Sequence, residues 1–360
     1  MTFRPRPRHL LFLPCWLAAA AGTWAADTDS RRAAVEQTLD RSPLCRGLGS
    51  FYWEIGDRRG PLARGSRGSP GARQIGADTV MPIASASKWV FGAYAAERYD
   101  GRLPPQAVQA LQMQAGDDRL QHRSCVRSKT VAECLAQGDN GGRDPAHVGH
   151  FSYGGGHAQK LAVALGLGDL DLAALNRDLH RVLPAAAGID YRSPQPAGGM
   201  AASANGYAAF LRGLMGGSLQ LGHLLGTEAV CTQPGSCPGA VRSPVPRPWH
   251  YSLHHWVEDG PGDDGAFSSA GAFGFYPWIS ADRQLYGILA RQALERAAGV
   301  NSARCGAALR RAWVSGEVQD GPAPQADGTP LAAGPAVEAA PGNGRSRPLL
   351  EAWRRRRSGE

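Results

Sequence analysis

Apolar residues recur every three to four positions among charged ones across residues 30–41, the spacing of a short amphipathic helix. The run Gly49-Ser50-Phe51-Tyr52-Trp53-Glu54-Ile55-Gly56 is aromatic and aliphatic between glycines, and predicts a strand. Across residues 57–71, glycine, proline and arginine dominate and predict a loop. Residues 87–98 mix alanine with aromatic side chains on all faces, which suits a buried helix. Helical spacing then prevails from Leu103 to Leu225, with helices expected near 105–114, 156–165, 170–183 and 203–215. Strand patterns return at 251–257, 266–279 and 284–291, and residues 302–314 predict a closing helix. Strands at both ends thus surround a helical middle. The expected fold class is α+β: one antiparallel sheet built from both chain ends and flanked by helices, with an all-helical lobe inserted. That assigns residues 27–86 and 250–318 to a sheet lobe and 87–249 to a helical lobe of one domain, 27–318.

The termini read differently from this body. Arg4, Arg6 and Arg8 precede an apolar stretch from Leu10 to Ala21 and the small residues Ala25 and Ala26, the pattern of a secretory signal peptide over residues 1–26. Phe12-Leu13-Pro14 lacks the small residue wanted before a lipidated cysteine at Cys15, so cleavage after Ala25 or Ala26 is the favoured reading. Residues 319–360 are rich in Ala, Pro and Gly, end in Trp353-Arg354-Arg355-Arg356-Arg357, and are expected to be a disordered tail. The expected location is secreted or periplasmic, with no transmembrane anchor. Oligomeric state leaves no mark on the sequence.

Location also decides what the charge means. Of the formal +8, three charges belong to the leader and four to residues 345–360, which leaves the body at +1. No nucleic-acid partner is implied. Beyond Cys15 there are six cysteines, Cys45, Cys125, Cys134, Cys231, Cys237 and Cys305, an even number suited to an oxidising compartment. Fifteen connectivities are possible. Cys125 with Cys134 and Cys231 with Cys237 would close short loops, and Cys45 with Cys305 would tie the two ends if these lie together. A zinc site lacks any Cys-x-x-Cys pair, and one strand rarely supplies three convergent histidines, so no metal and no cofactor is expected.

Candidate chemistry begins at Ser85-Ala86-Ser87-Lys88, in a chain with three lysines against thirty-six arginines. Lysine, unlike arginine, can lose its proton when desolvated and then take one from a hydroxyl. Positions i and i+3 share a helix face, which puts Lys88 beside Ser85. The same four residues also fit a helix start with Ser85 as N-cap and Lys88 solvated. Further along come Phe151-Ser152-Tyr153-Gly154-Gly155-Gly156-His157, Pro196-Ala197-Gly198-Gly199-Met200-Ala201-Ala202-Ser203, and Ser268-Ser269-Ala270-Gly271-Ala272-Phe273-Gly274. The glycine triplet is a poor phosphate loop, because no Gly-Lys-Ser/Thr follows.

In this order, across roughly residues 49–314, these motifs resemble the serine β-lactamase and penicillin-binding-protein superfamily. The branch they are nearest to is that of class C β-lactamases, esterases and D-alanyl-D-alanine peptidases. The resemblance implies a β-lactamase/transpeptidase-like fold, with Ser85 as the acylated nucleophile, Lys88 as its base and Tyr153 as a proton relay whose phenolate a nearby ammonium would favour. It further implies an oxyanion hole from the backbone N–H groups of Ser85 and Ala272. Gly271 and Gly274 would let substrate approach the backbone closely.

Two positions depart from the family pattern. Gly155 stands where relatives carry Asn or Ser, and Ser269 where they carry Lys or His, so the substrate pocket is expected to be rewired at Gly155, Ser269 and Gly271. His157, and one of His254 and His255 by strand alternation, with His255 the choice, are candidates to replace the lost polar groups. The expected function is an exported serine hydrolase acting on an ester, amide or peptide, with β-lactams as a further substrate class. The expected partner is a small-molecule or peptidoglycan-type substrate. The alternative is a non-catalytic module that recognises cell-wall peptide or a protein partner.

Overall fold

Phe51, Tyr52, Trp53 and Ile55 are buried on both faces of their strand, and that double burial draws helices onto each side of the sheet. A computed structural model describes residues 18–68 and 71–321, with side chains from Asp27 onward. The expected leader, apart from a backbone helix starting at Ala18, and the tail beyond residue 321 lie outside the described residues.

The chain opens with α1 (Ala18–Arg41), β1 (Phe51–Gly56), β2 (Pro61–Arg67), β3 (Met81–Pro82), α2 (Ser87–Arg98), α3 (Pro105–Leu111) and α4 (Val131–Leu135). It continues through β4 (Phe151–Ser152), α5 (Gly156–Ala164), α6 (Leu172–Val182), β5 (Ile189–Tyr191), β6 (Met200–Ala202), α7 (Ala204–Met215) and α8 (Gln220–His223). It ends with β7 (Val230–Cys231), β8 (Ala240–Arg242), β9 (His250–Tyr251), β10 (Trp256–Glu258), β11 (Ala266–Ser268), β12 (Tyr276–Ile279), β13 (Tyr286–Ala290) and α9 (Ala298–Ser315). The main sheet has the order β2-β1-β13-β12-β11-β10-β9-β7, antiparallel at each pairing. Its centre joins the two chain ends, with Tyr52 opposite Ala290 and Gly56 opposite Tyr286.

One face of that sheet packs Trp53, Trp278 and Leu289 against Val35 and Leu39 of α1 and Leu309 and Trp313 of α9. The other face packs Tyr52, Tyr286 and Ile288 into the core that holds α2 and α7. Buried charge is matched: Arg310 of α9, 2% exposed, donates to Glu258 at 2.7 Å, to both oxygens of Asp264 and to the Tyr276 hydroxyl. At the other end of the pair, Arg31 of α1 donates to the terminal carbonyls Trp313 O and Val314 O of α9.

Four expectations need correction. Residues 57–71 are not all loop, because β2 forms the sheet edge; only Ala63 is buried along it, too few apolar positions to mark a strand. The stretch 251–257 is a hairpin, closed by Ser252 N–H to His255 O at 2.8 Å with His254 at φ +63°. The stretch 266–279 is likewise a hairpin, closed by Gly271 N–H to Phe275 O at 2.8 Å with Gly274 at φ +99°. Residues 87–249 are also not purely helical: β3-β6-β5 form a small sheet, and β4 pairs with β8 in parallel.

The cysteines pair as Cys45–Cys305, Cys125–Cys134 and Cys231–Cys237, at Cα separations of 5.0, 4.7 and 6.1 Å, which fits an oxidising compartment. Among the described residues, no helix is long and apolar enough to cross a membrane.

Loop length ranks these bonds. Cys45–Cys305 spans 260 residues against 9 for Cys125–Cys134, for which chain entropy gives about 5.5 and about 2.5 kcal/mol. The Cys45→Ser/Cys305→Ser double variant should therefore lose more stability than Cys125→Ser/Cys134→Ser when denaturant midpoints are compared. The opposite ranking would show that the long loop contributes nothing special.

Candidate active site

A short, strained turn delivers Ser85. Ile83 N–H donates to Met200 O at 3.0 Å, and Ala84 then adopts φ +44°, a left-handed conformation that costs an alanine about 1–3 kcal/mol. The neighbouring elements hold this turn in place. The Tyr207 hydroxyl donates to Ala86 O at 2.8 Å, Met200 N–H to Ser87 Oγ at 3.2 Å, and Ser269 Oγ to Ser85 O at 3.1 Å. Gly271 completes the clamp, since a Cβ there would lie 2.1 Å from Ile83 O. Its missing side chain admits the protein's own backbone, not a substrate. Gly274 similarly faces Arg291 Cγ, 2.7 Å from where its Cβ would be.

Lys88 lies one turn into the helical segment that Ser85 opens, 2% exposed among apolar α2 neighbours. Its Nζ donates to Ser85 Oγ at 3.1 Å and to Ala197 O at 2.8 Å. Burial lowers its pKa from 10.5 to about 7, so the amine is partly neutral at physiological pH. The ring of Tyr153 stands 4.7 Å from Nζ at its centroid, and its hydroxyl lies near enough to the Ser85 side chain for the serine to favour the ionised form.

Tyr153 is fixed by an aromatic wall and by Arg242. It stacks on Trp256 at 5.7 Å and meets Tyr251 edge-on at 5.9 Å. Its N–H donates to Arg242 O at 3.0 Å, while the Arg242 guanidinium donates to its carbonyl at 2.8 Å. Burial pushes its pKa up to about 12, which outweighs the lowering from Ser85. The expected phenolate is therefore corrected: at neutral pH this is a phenol. Ser85 and Lys88, one helical turn apart, are thus brought together with Tyr153 from far along the chain.

The glycine triplet serves packing. A Cβ at Gly154 would sit 2.0 Å from Asp118 O, one at Gly156 2.4 Å from Asp117 O and Arg119 O, and one at Gly155 2.5 Å from Leu120 Cδ2. Gly155 is thus covered by Leu120 and does not offer its face to substrate. Asp118 anchors the covering segment through Ser152 Oγ and through His147 Nδ1 at 3.0 Å.

The two histidines expected to reach substrate do not. His157 is wholly buried, donates from Nε2 to Ser152 O at 3.1 Å, and is lowered to about pKa 4 by burial. His255 has both nitrogens engaged, Nδ1 with Leu253 O and Nε2 with Gly226 N–H, and stacks on Trp89. Ser269 is buried and committed to Ser85 O, while Ala272 is exposed at the β11–β12 turn beside it. Sequence reasoning missed His122, Gln195 and Arg242, which no motif marks.

No family model matches the chain, and no curated protein matches it by sequence. Solved structures do. The chain is similar to EstCE1, a hydrolase with promiscuous acyltransferase activity, at 12% identity over 81% of this chain and 99% of that one, TM-score 0.56. It is similar to a candidate 6-aminohexanoate-dimer hydrolase from Bacillus anthracis, at 13% identity over 79% and 82%, TM-score 0.55. It is also similar to a candidate β-lactamase from Bacteroides dorei, at 17% identity over 77% and 91%, TM-score 0.51. The chain has the serine β-lactamase and penicillin-binding-protein fold. At these identities the likeness is one of fold, and within that fold the Ser85, Lys88 and Tyr153 cluster stands on this chain's own geometry.

A buried amine leaves a signature in stability. In the unfolded chain Lys88 titrates near 10.5, in the fold near 7, so between those values the unfolded chain binds more protons and stability rises with pH. Lys88→Met removes the penalty, and below pH 7 should be more stable than wild type by on the order of 3 kcal/mol, after loss of the bond to Ala197. The gap should close toward pH 10. Denaturant midpoints of both proteins at several pH values measure it, and a pH-independent gap would refute the lowered pKa.

Proposed function

We propose that the protein is an exported serine hydrolase that forms an acyl-enzyme on Ser85 with ester, amide or peptide substrates. The observation that carries this reading is the buried, carboxylate-free Lys88 with Nζ 3.1 Å from Ser85 Oγ. A neutral Lys88 takes the Ser85 proton as Oγ attacks the substrate carbonyl. The oxyanion accepts hydrogen bonds from the backbone N–H groups of Ser85 and Ala272. Tyr153, a phenol beside Ser85 and Lys88, hands a proton to the leaving group and recovers one from the Lys88 ammonium. Water then attacks the acyl carbon by the reverse route and frees Ser85.

Export is supported by the arginine-then-apolar leader and by three disulfides in the body. Small activated esters suit the site better than penicillins, because Ser269 supplies no cation for the drug's carboxylate. A second reading, a non-catalytic recognition module of the same fold, draws on the covered Gly155 and the committed Ser269.

Intact-mass spectrometry after incubation with activated esters and β-lactams tests the proposal. Wild type should gain an acyl group on Ser85, Ser85→Ala should gain none, and Lys88→Arg should acylate at least about a hundredfold more slowly, because arginine does not deprotonate. The acylation rate should rise with pH through about 7 as Lys88 loses its proton. Normal acylation in Lys88→Arg would remove the lysine from the mechanism.

Turnover of activated esters should also exceed that of penicillins. One missing charge-assisted hydrogen bond costs about 1.5–3 kcal/mol, roughly ten- to a hundredfold in transition-state binding. Efficient penicillin hydrolysis would show that another group holds the carboxylate.

A further inference from the structure

The segment that covers Gly155 also carries a side chain into the cleft. A Cβ on Gly155 would meet Leu120 at 2.5 Å and His122 Cε1 at 3.4 Å. A Cβ on Gly198, next to the Lys88 acceptor Ala197, would meet the same His122 Cε1 at 3.6 Å and the Ala84 carbonyl carbon at 3.8 Å. The edge of this imidazole therefore stands between the tyrosine loop and the turn before Ser85. It occupies the place toward which a polar side chain at Gly155 would have projected.

His122 is held there by a specific partner. Its Nδ1 lies 2.6 Å from Gln195 Oε1, and Gln195 is 4% exposed. The Gln195 amide nitrogen donates to Ser193 Oγ at 3.3 Å and to His122 O at 3.4 Å, which orients the amide. Oε1 can only accept, so Nδ1 carries the ring hydrogen and Nε2 keeps its lone pair. The residue as a whole is exposed, but its ring is packed between Gly155 and Gly198, and that local burial, with Lys88 adding to it, lowers its pKa against the opposing effect of Gln195. At neutral pH it is an acceptor, not a cation.

We infer that His122, fixed by Gln195, is a substrate-binding residue whose Nε2 accepts an N–H from the acyl group. The preferred acyl donors are then N-acylated amino acids and peptides rather than plain fatty or aromatic acids. This inference rests on the acyl-enzyme reading above and deepens it.

Two p-nitrophenyl esters of matched shape test it, that of N-acetylglycine and that of 4-oxopentanoic acid, in which CH2 replaces the N–H. In His122→Ala the ratio of kcat/KM for the first over the second should fall about tenfold relative to wild type, the scale of one hydrogen bond. His122→Gln, which keeps an acceptor, should recover part of that ratio. An unchanged ratio in His122→Ala, or equal recovery by His122→Leu, overturns the assignment. Acylation of wild-type Ser85 by both esters without the shift sinks this inference alone, while acylation by neither sinks the proposed function with it.

Discussion

A lysine amine buried without a carboxylate is the constraint around which this molecule is arranged. Among the described residues Lys88 makes no ion pair, and its hydrogen-bond partners are one hydroxyl and one carbonyl. Such a group is costly to charge because α2 is buried on nearly every face, and the fold tolerates it because the amine has two hydrogen-bond partners and can shed its proton. Ala197 O, which lies in the turn ahead of β6, gives the amine a fixed acceptor. That turn is itself held by Gln159, whose buried amide donates to both Pro194 O and Val131 O. The cost of one buried amine is thus shared across segments distant in sequence.

Much of the architecture was legible because it depends on short-range spacing or on covalent chemistry. The Ser85 and Lys88 offset, the strand at Phe51 and the three cysteine pairings needed nothing beyond local pattern and a guess about the chain ends. What escaped depended on contacts that no local pattern encodes. β2 buries one residue, Ala63, and so reads as loop. The hairpin at His254 escaped because its turn residues, Ser252 to His255, are all buried, and the one at Gly274 because its turn is built from small and apolar residues even though Ala272 is exposed.

The glycines and histidines carry the same lesson at the site. Gly155, Gly271 and Gly274 were expected to face substrate, yet each makes room for the protein's own chain. Histidine at 157 or 255 could not be told from a core histidine by sequence, since the partners that neutralise both are backbone groups. His122 had no signal at all, lying in a polar, loop-like stretch whose position depends on Asp118 and Gln195. The chemistry of attack is thus written locally, and the chemistry of recognition is written in tertiary contacts.

The bond between Cys45 and Cys305 makes a covalent ring of nearly the whole body. A protease that cuts once in the arginine-rich edge around β2, or in any exposed loop between those cysteines, leaves two fragments still tethered. The sheet centre, where β1 pairs with β13, lies inside the same ring, so the severed ends stay close enough to keep their strands paired. In the oxidising compartment that the disulfides fit, a single nick therefore becomes an event the fold can survive.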